Sequence, residues 1–391
     1  MSMIADLAAE EEALLESVRR FARARLAPRA RELDETGEFA GAHLPELAAL
    51  GVMGLNLPER WGGAGVSPVA LFHAVAALAG ACGSTASMVT AHFLATDAIL
   101  IGGDEAQAAR WLPDAAAGRT LGAFALTEPR AGSNPSDMTT RALPEPDGYR
   151  LTGVKHFISN AGQADFIVVF AKTDPGAGHR GISAFIVGAR MPGVTVGRPE
   201  RTMGLKAGHV FEVSFDCVLP RASRLGPEGS GFRTAMKVLD NGRVEIAACC
   251  IGIAESALEA ALAWSKERRV DGAPIAGLQG IQWMLADMAT ELEAARLLGL
   301  RAATLRGTGG RFTREASMAK LFASEAAGRV ADRALQIHGG YGYSRDLPIE
   351  RYARDLRVMR IYEGSSEIQR NIIARLLLNP EKHHEKPGPG A

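Results

Sequence analysis

The sequence has no surplus of charge of either sign: Lys plus Arg and Asp plus Glu number 44 each. With no basic run or patch, a nucleic-acid partner is not expected. Cysteine is scarce, with four in 391 residues, at 82, 217, 249 and 250. None falls at Cys-x-x-Cys spacing, so a disulfide framework is implausible and buried thiols in a reducing cytoplasm are expected. The nine histidines form no HxxxH or similar cluster, so no metal site is expected. No uninterrupted apolar run approaches the ~20 residues that span a bilayer. The acidic start, Ala9-Glu10-Glu11-Glu12-Ala13-Leu14-Leu15, does not read as a signal peptide. No membrane association is expected. A dinucleotide fingerprint is also missing. Gly229-Ser230-Gly231 and Gly340-Tyr341-Gly342 both lack the third glycine and a preceding strand.

What is present is a layout in three blocks. The length exceeds one ordinary core, so more than one domain is expected. Residues 1–121 read as helices, with 3.6-residue periodicity over Ala8–Asp34, Pro68–Gly80, Ser84–Ile101 and Glu105–Ala117. Residues 122–231 read as short strands between Gly, Pro and Asp turns: Tyr149–Gly153, Phe166–Phe170, Ile182–Val187, Gly193–Val196 and Val210–Cys217. Alanine-rich helices return over 232–378, at Phe232–Val270, Leu278–Leu305 and Thr313–Ile337. The polar, Pro/Gly-rich residues 379–391 read as a disordered tail. The expected fold is α+β, with an N-terminal helical domain, a small β-barrel or sandwich, and a C-terminal four-helix bundle. Ligand sites favour such junctions.

Three segments carry candidate chemistry. Tyr362-Glu363-Gly364-Ser365-Ser366 places a carboxylate and a glycine before a helix start, and Ser366-x-x-Gln369 fits a capping box. That context suits a general base; it also suits a solvated glutamate in a helix–helix turn. Leu126-Thr127-Glu128-Pro129-Arg130-Ala131-Gly132-Ser133 offers turn backbone and hydroxyls to a ligand, or is a domain linker. Lys155-His156-Phe157-Ile158-Ser159-Asn160 couples an aromatic to a hydroxyl at a strand end, or is a hairpin edge with a core phenylalanine.

Taken in order, these segments, with Leu285-Ala286-Asp287-Met288 and Gln336-Ile337-His338-Gly339-Gly340-Tyr341-Gly342-Tyr343, resemble the acyl-CoA dehydrogenase family, of the short-chain and branched-short-chain type. The resemblance runs from the first helix to Leu378. It implies an FAD enzyme that makes a trans α,β double bond in an acyl-CoA and passes electrons to electron-transfer flavoprotein. It implies that Glu363 is the base, with its backbone N–H holding the thioester oxygen. Ser133, Asp240, Arg243 and Gly364 are then placed at the acyl-CoA. The backbone of Ala125, Leu126 and Thr127 falls at the flavin's pyrimidine edge, Phe157 near its ring, Ile158 beside it and Ser159 on the N5 side; Ser133 stands at the entrance. Arg268, Gln279, Gln336, Gly339 and Gly340 match positions that grip the adenosine diphosphate half from a neighbouring subunit, as in a homotetramer built as a dimer of dimers. Ser365 and Glu367 match FAD contacts after the base. Some members carry the base one residue before an arginine on a C-terminal helix; here that position is Gly242, which has no side chain to act. Glu245 is read as structural.

Two departures from the family pattern stand out. Asp271 replaces an apolar aromatic in Arg268-Arg269-Val270-Asp271-Gly272-Ala273-Pro274, and Arg130 replaces a glycine. Arg130 either approaches the CoA phosphate or faces solvent, and solvent is the favoured reading. By resemblance Ser84–Ile101 lines the acyl pocket through Met88, His92, Phe93 and Leu94, with no Lys or Arg to hold a second carboxylate. That argues against a dicarboxylyl-CoA; the Asn241-Gly242-Arg243 and Phe157-Ile158-Ser159 segments resemble those of short-chain and branched-short-chain members, which implies a short or methyl-branched acyl group. An oxygen-using acyl-CoA oxidase and a non-catalytic flavin or acyl-CoA scaffold are the alternatives.

Overall fold

The computed structural model describes residues 7–379; the expected tail, apart from Asn379, lies outside them. The N-terminal block holds α1 Ala9–Phe21, α2 Ala30–Thr36, α3 Leu44–Ala49, α4 Pro68–Ala81, α5 Gly83–Gly102 and α6 Glu105–Ala116. The expected single helix at the start is broken by a π turn, Ala22–Leu26, and a 3₁₀ turn, Ala27–Arg29. Pro28 is the reason: it lacks an N–H and its ring clashes with the carbonyl four residues back, so the ladder is re-spaced.

The β block contains β1 Gly122–Ala125, β2 Arg141–Glu145, β3 Gly148–Ser159, β4 Phe166–Lys172, β5 Ile182–Gly188, β6 Val194–Val196, β7 Val210–Pro220 and β8 Arg224–Leu225. Strand order is β6-β7-β3-β2-β4-β5-β8, with β1 parallel to β4. A single pairing, Arg141 with Lys172, joins β2 to β4. The sheet thus has two halves, whose inward residues (Leu151, Ile158 and Val213 from one, Val169 and Phe185 from the other) share one core. Strand alternation sends these residues to one face.

The last block contains α7 Gly231–Glu267, a hairpin of β9 Arg269–Val270 and β10 Ala273–Pro274, α8 Gln279–Gly307, α9 Thr313–His338, α10 Gly340–Tyr343, α11 Ile349–Arg357 and α12 Ser366–Leu378. The helix expected to reach Val270 ends at Glu267, because Asp271 and Gly272 take φ of 49° and 82°. Asp-Gly is a favoured pair for such a two-residue turn, which explains how aspartate is accommodated there.

α7 is the central helix, packed on α4, α5, α8 and α9. Helices of the first and last blocks share one core, including Phe72, Val75, Ile251, Leu292 and Val330. By length and composition α5 and α7 could cross a membrane; here their apolar faces are buried in this core. All four cysteines are buried and unpaired. Burial pushes the thiols up, Cys250 to about 12 and Cys249 well above its ordinary value.

Candidate active site

Glu363 lies in the turn that leads into α12, with φ of 52°, and Gly364 follows at 90°. Left-handed backbone is strained for glutamate and free for glycine. The expected capping box does not form. Ser365 is the N-cap and makes no side-chain cap bond; Ser366 Oγ donates to Glu325 at 2.6 Å. Gln369 Nε2 turns back to Glu363 O at 3.0 Å and Gly364 O at 2.9 Å. Those carbonyls lie outside the helix ladder, and the amide satisfies them.

Glu363 as a residue is partly exposed, but its Oε2 is buried and has no hydrogen-bond partner. A methyl built on Gly242 would overlap that oxygen and stand 2.7 Å from Leu94 Cδ2. Burial pushes the Glu363 carboxyl up to about 7, against the pull of Lys320 and Arg243. Arg243, from α7, is buried; it bonds Asp240 Oδ1 at 2.6 Å and lies 3.5 Å from Glu363 O. Asp240 Oδ2 accepts from Thr313 at 2.5 Å. Both Asp240 oxygens are therefore engaged, and its observed work is to hold Arg243. Glu245 is buried and bonded to Arg306 at 3.0 Å, which fits the structural reading. Burial raises it to about 8. Arg306 also pairs with Asp97, which accepts from Asn56 and Asn241 at 2.7 Å each.

A second group of expected residues lies in the β block. β3 bulges between Lys155 and Ile158, and Phe157 takes φ of 57°. Phe157 is 60% exposed, which excludes the core-phenylalanine alternative, and its ring stacks on His156 at 4.2 Å. Bulges re-aim side chains in this way. Ile158 is buried in the sheet core and paired with Phe211 of β7, so its side chain is not open to a ligand. His156 N–H bonds Thr127 O at 2.9 Å. Lys155 Nζ bonds Leu126 O at 3.0 Å and Glu128 Oε1 at 2.9 Å. Glu128 also accepts from Thr139 and Thr140 backbone N–H. Burial would raise Glu128, but Lys155 and these bonds hold it at about 2. The buried pair locks Ala125–Thr127 to the Phe157 bulge. Ser133 and Arg130 are exposed and Ser159 is half-buried. Leu126 and Leu94 pack in one apolar cluster, which connects this group to Glu363.

A third group sits on the C-terminal helices. Trp264 stacks on His338 and contacts Tyr341, over which Arg268 lies at 5.8 Å. Arg268, Gln279, Gln336, Gly339 and Gly340 are exposed, and Gly339 and Gly340 face open space. Ser365 bonds Glu367, which is exposed and held below the usual carboxylate range. Met88, His92 and Phe93 are buried; His92 Nδ1 accepts from Gly122 N–H. Of the four α5 residues expected at the acyl group, Leu94 is the one against Gly242. Sequence reasoning missed Lys320, whose Nζ donates to Gly364 O at 2.7 Å. Its signal was available: it interrupts the stripe Ala316, Lys320, Ala323, Ala327 on α9, where helical spacing turns every member inward.

An exposed aromatic on a bulge beside locked turn backbone, a buried unpartnered carboxyl oxygen and an exposed arginine–glycine patch fit a flavin and its diphosphate. Comparison with known proteins agrees. Acyl-CoA dehydrogenase N-terminal, middle and C-terminal domain families match residues 8–119, 123–218 and 229–378. An acyl-CoA dehydrogenase of Bacillus subtilis (strain 168) is 46% identical, over 94% of this chain and 98% of that protein. Butyryl-CoA dehydrogenase from Megasphaera elsdenii superposes with a TM-score of 0.94 at 39% identity, over 97% of this chain and 100% of that one. A chain in a structure of the electron transferring flavoprotein of Acidaminococcus fermentans gives 0.93 at 40% identity, over 95% and 99%. Across all three blocks, this chain belongs to the acyl-CoA dehydrogenase family of FAD-dependent oxidoreductases.

Proposed function

We propose that the chain oxidises a short or methyl-branched acyl-CoA to its trans-2-enoyl-CoA, with Glu363 as the base. The observation that carries this reading is the buried, unpartnered Glu363 Oε2 over Gly242, in a carboxyl raised to about 7. A base near neutrality balances ionisation against driving force for proton transfer. Glu363 takes the α-proton, and its backbone N–H holds the thioester oxygen. FAD, when bound, supplies the acceptor for the β-hydride. Ala125–Thr127, Phe157 and Ser159 hold its ring, with Arg268, Gln279, Gln336, Gly339 and Gly340 on the diphosphate half across a subunit boundary. Exposed Leu278, Trp283 and Val270 support a homotetramer, since apolar surface of this kind is characteristic of subunit contacts.

Similarity to butyryl-CoA dehydrogenase and the Asn241-Gly242-Arg243 segment support a short acyl group. Similarity to a chain in the electron transferring flavoprotein structure supports that protein as the electron acceptor, and similarity to bacterial acyl-CoA dehydrogenases supports a cytoplasmic setting. The test is anaerobic bleaching of the flavin across an acyl-CoA panel, wild type against Glu363→Gln. The variant should keep FAD and bind acyl-CoA without reducing the flavin. Normal reduction by the variant refutes the base, best turnover on long chains refutes the substrate class, and peroxide formation under air favours the oxidase.

A further inference from the structure

The Glu363–Gly364 turn is held by side chains, not by a ladder. Gln369 reaches both carbonyls, and Lys320 Nζ bonds Gly364 O at 2.7 Å. Lys320 is fully buried, a rare condition for lysine. Burial of an ammonium is costly unless a partner repays it, so its place one residue from the base calls for a role. Burial brings it down to about 8, while the Glu363 carboxylate favours its charged form and Arg243 opposes it. It is thus a cation at neutral pH. The charged and titratable groups around it are Arg243 and Cys250 from α7, Glu325 from its own helix, Glu363, and Glu367 from α12. Those around Glu363 are Lys320 and Arg243, with Glu245, Cys249 and Tyr362 affected by its charge.

We propose that Lys320 is a positioning residue for the reaction. Its bond to Gly364 O fixes the turn that keeps the Glu363 carboxyl over Gly242, and its charge favours the ionised base in a dry site. The inference rests on Glu363 being the base. Lys320 touches no reacting atom in this role; it acts through Gly364 and through its field. Arg243, engaged by Asp240, supplies a second positive charge, so removing Lys320 should weaken ionisation of Glu363 without abolishing it.

The test measures anaerobic flavin reduction against pH in wild type, Lys320→Gln, Lys320→Met and Lys320→Arg, with FAD content and acyl-CoA affinity measured alongside. Lys320→Gln keeps a donor for Gly364 O and loses the charge. Its reduction profile should move to higher pH by about one unit, a tenfold change in the ionised fraction on the acid limb, with FAD and acyl-CoA binding retained. Lys320→Met should show the same shift and also a lower plateau, because the turn loses its bond. Lys320→Arg should hold the wild-type midpoint. An unmoved midpoint in Lys320→Gln, or a shifted one in Lys320→Arg, overturns the proposal. If Lys320→Met does not fold, the Gln and Arg variants decide it. Normal reduction by Glu363→Gln would sink the base assignment itself; an inactive Glu363→Gln with an unmoved Lys320→Gln profile sinks only this inference.

Discussion

The carboxyl of Glu363 occupies the space that any side chain at residue 242 would need. Glycine at 242 is therefore more than the absence of an alternative base: it makes room for the one at 363. Gly242→Ala should improve helix propensity by about 0.8–1 kcal/mol and still lower flavin reduction ten- to a hundredfold, roughly the loss expected from misplacing a catalytic group. The overlapping atoms are the ends of Glu363 and Leu94, which can swing aside, so the fold should survive with FAD bound. Stopped-flow reduction beside thermal melting checks this, and an undiminished rate would count against the packing argument.

Burial of Glu363 also has a signature in stability. Its folded value, about 7, lies above the unfolded value near 4.5. The stability this group contributes is complete below 4.5 and is lost as pH rises to 7. At about 1.4 kcal/mol per unit, Glu363→Gln should be more stable than wild type above pH 7 by up to a few kcal/mol. The advantage should shrink towards pH 4.5. Denaturant midpoints for both proteins across that window decide it.

Phe157 should separate stability from cofactor grip in the opposite way to a core residue. Its ring is exposed and its φ of 57° is strained. Phe157→Gly should relieve strain of order 1 kcal/mol and yet weaken FAD retention. Flavin content after gel filtration, compared with the melting temperature, tests both halves.

Breaking the Lys155–Glu128 pair should do both kinds of damage. Either Lys155→Met or Glu128→Gln leaves a buried group without its partner, at about 3–5 kcal/mol, and Lys155→Met also frees Leu126 from the bulge. Glu128, held at about 2, contributes stability above 4.5 that is lost as pH falls towards 2. Urea titrations of the single and double variants measure the coupling; additive losses would show that the two act separately.

The order of helices and strands was legible because it rests on local periodicity, and the three chemical segments were legible because their residues are adjacent. What the sequence hid was long-range. Gln369 looked like half of a capping box with Ser366, yet Glu363 O and Gly364 O claim its amide. Lys320 lies 44 residues from the carbonyl it bonds, and Lys155 lies 27 from Glu128. Only the packing of α9 under the turn and of β3 beside β1 makes these pairs. Pro28 and Asp271-Gly272 are different: their effects are local and were open to a closer reading of turn chemistry.

The buried thiols have a practical consequence. Cys82, Cys217, Cys249 and Cys250 are all enclosed, and a protonated, enclosed thiol is a poor nucleophile. The folded wild-type protein therefore offers alkylating dyes nothing fast to react with. One cysteine introduced at an exposed site such as Arg130 becomes a unique attachment point for a fluorophore or spin label. Distances from that label to the flavin can then be followed during turnover, with no need to strip the native cysteines first.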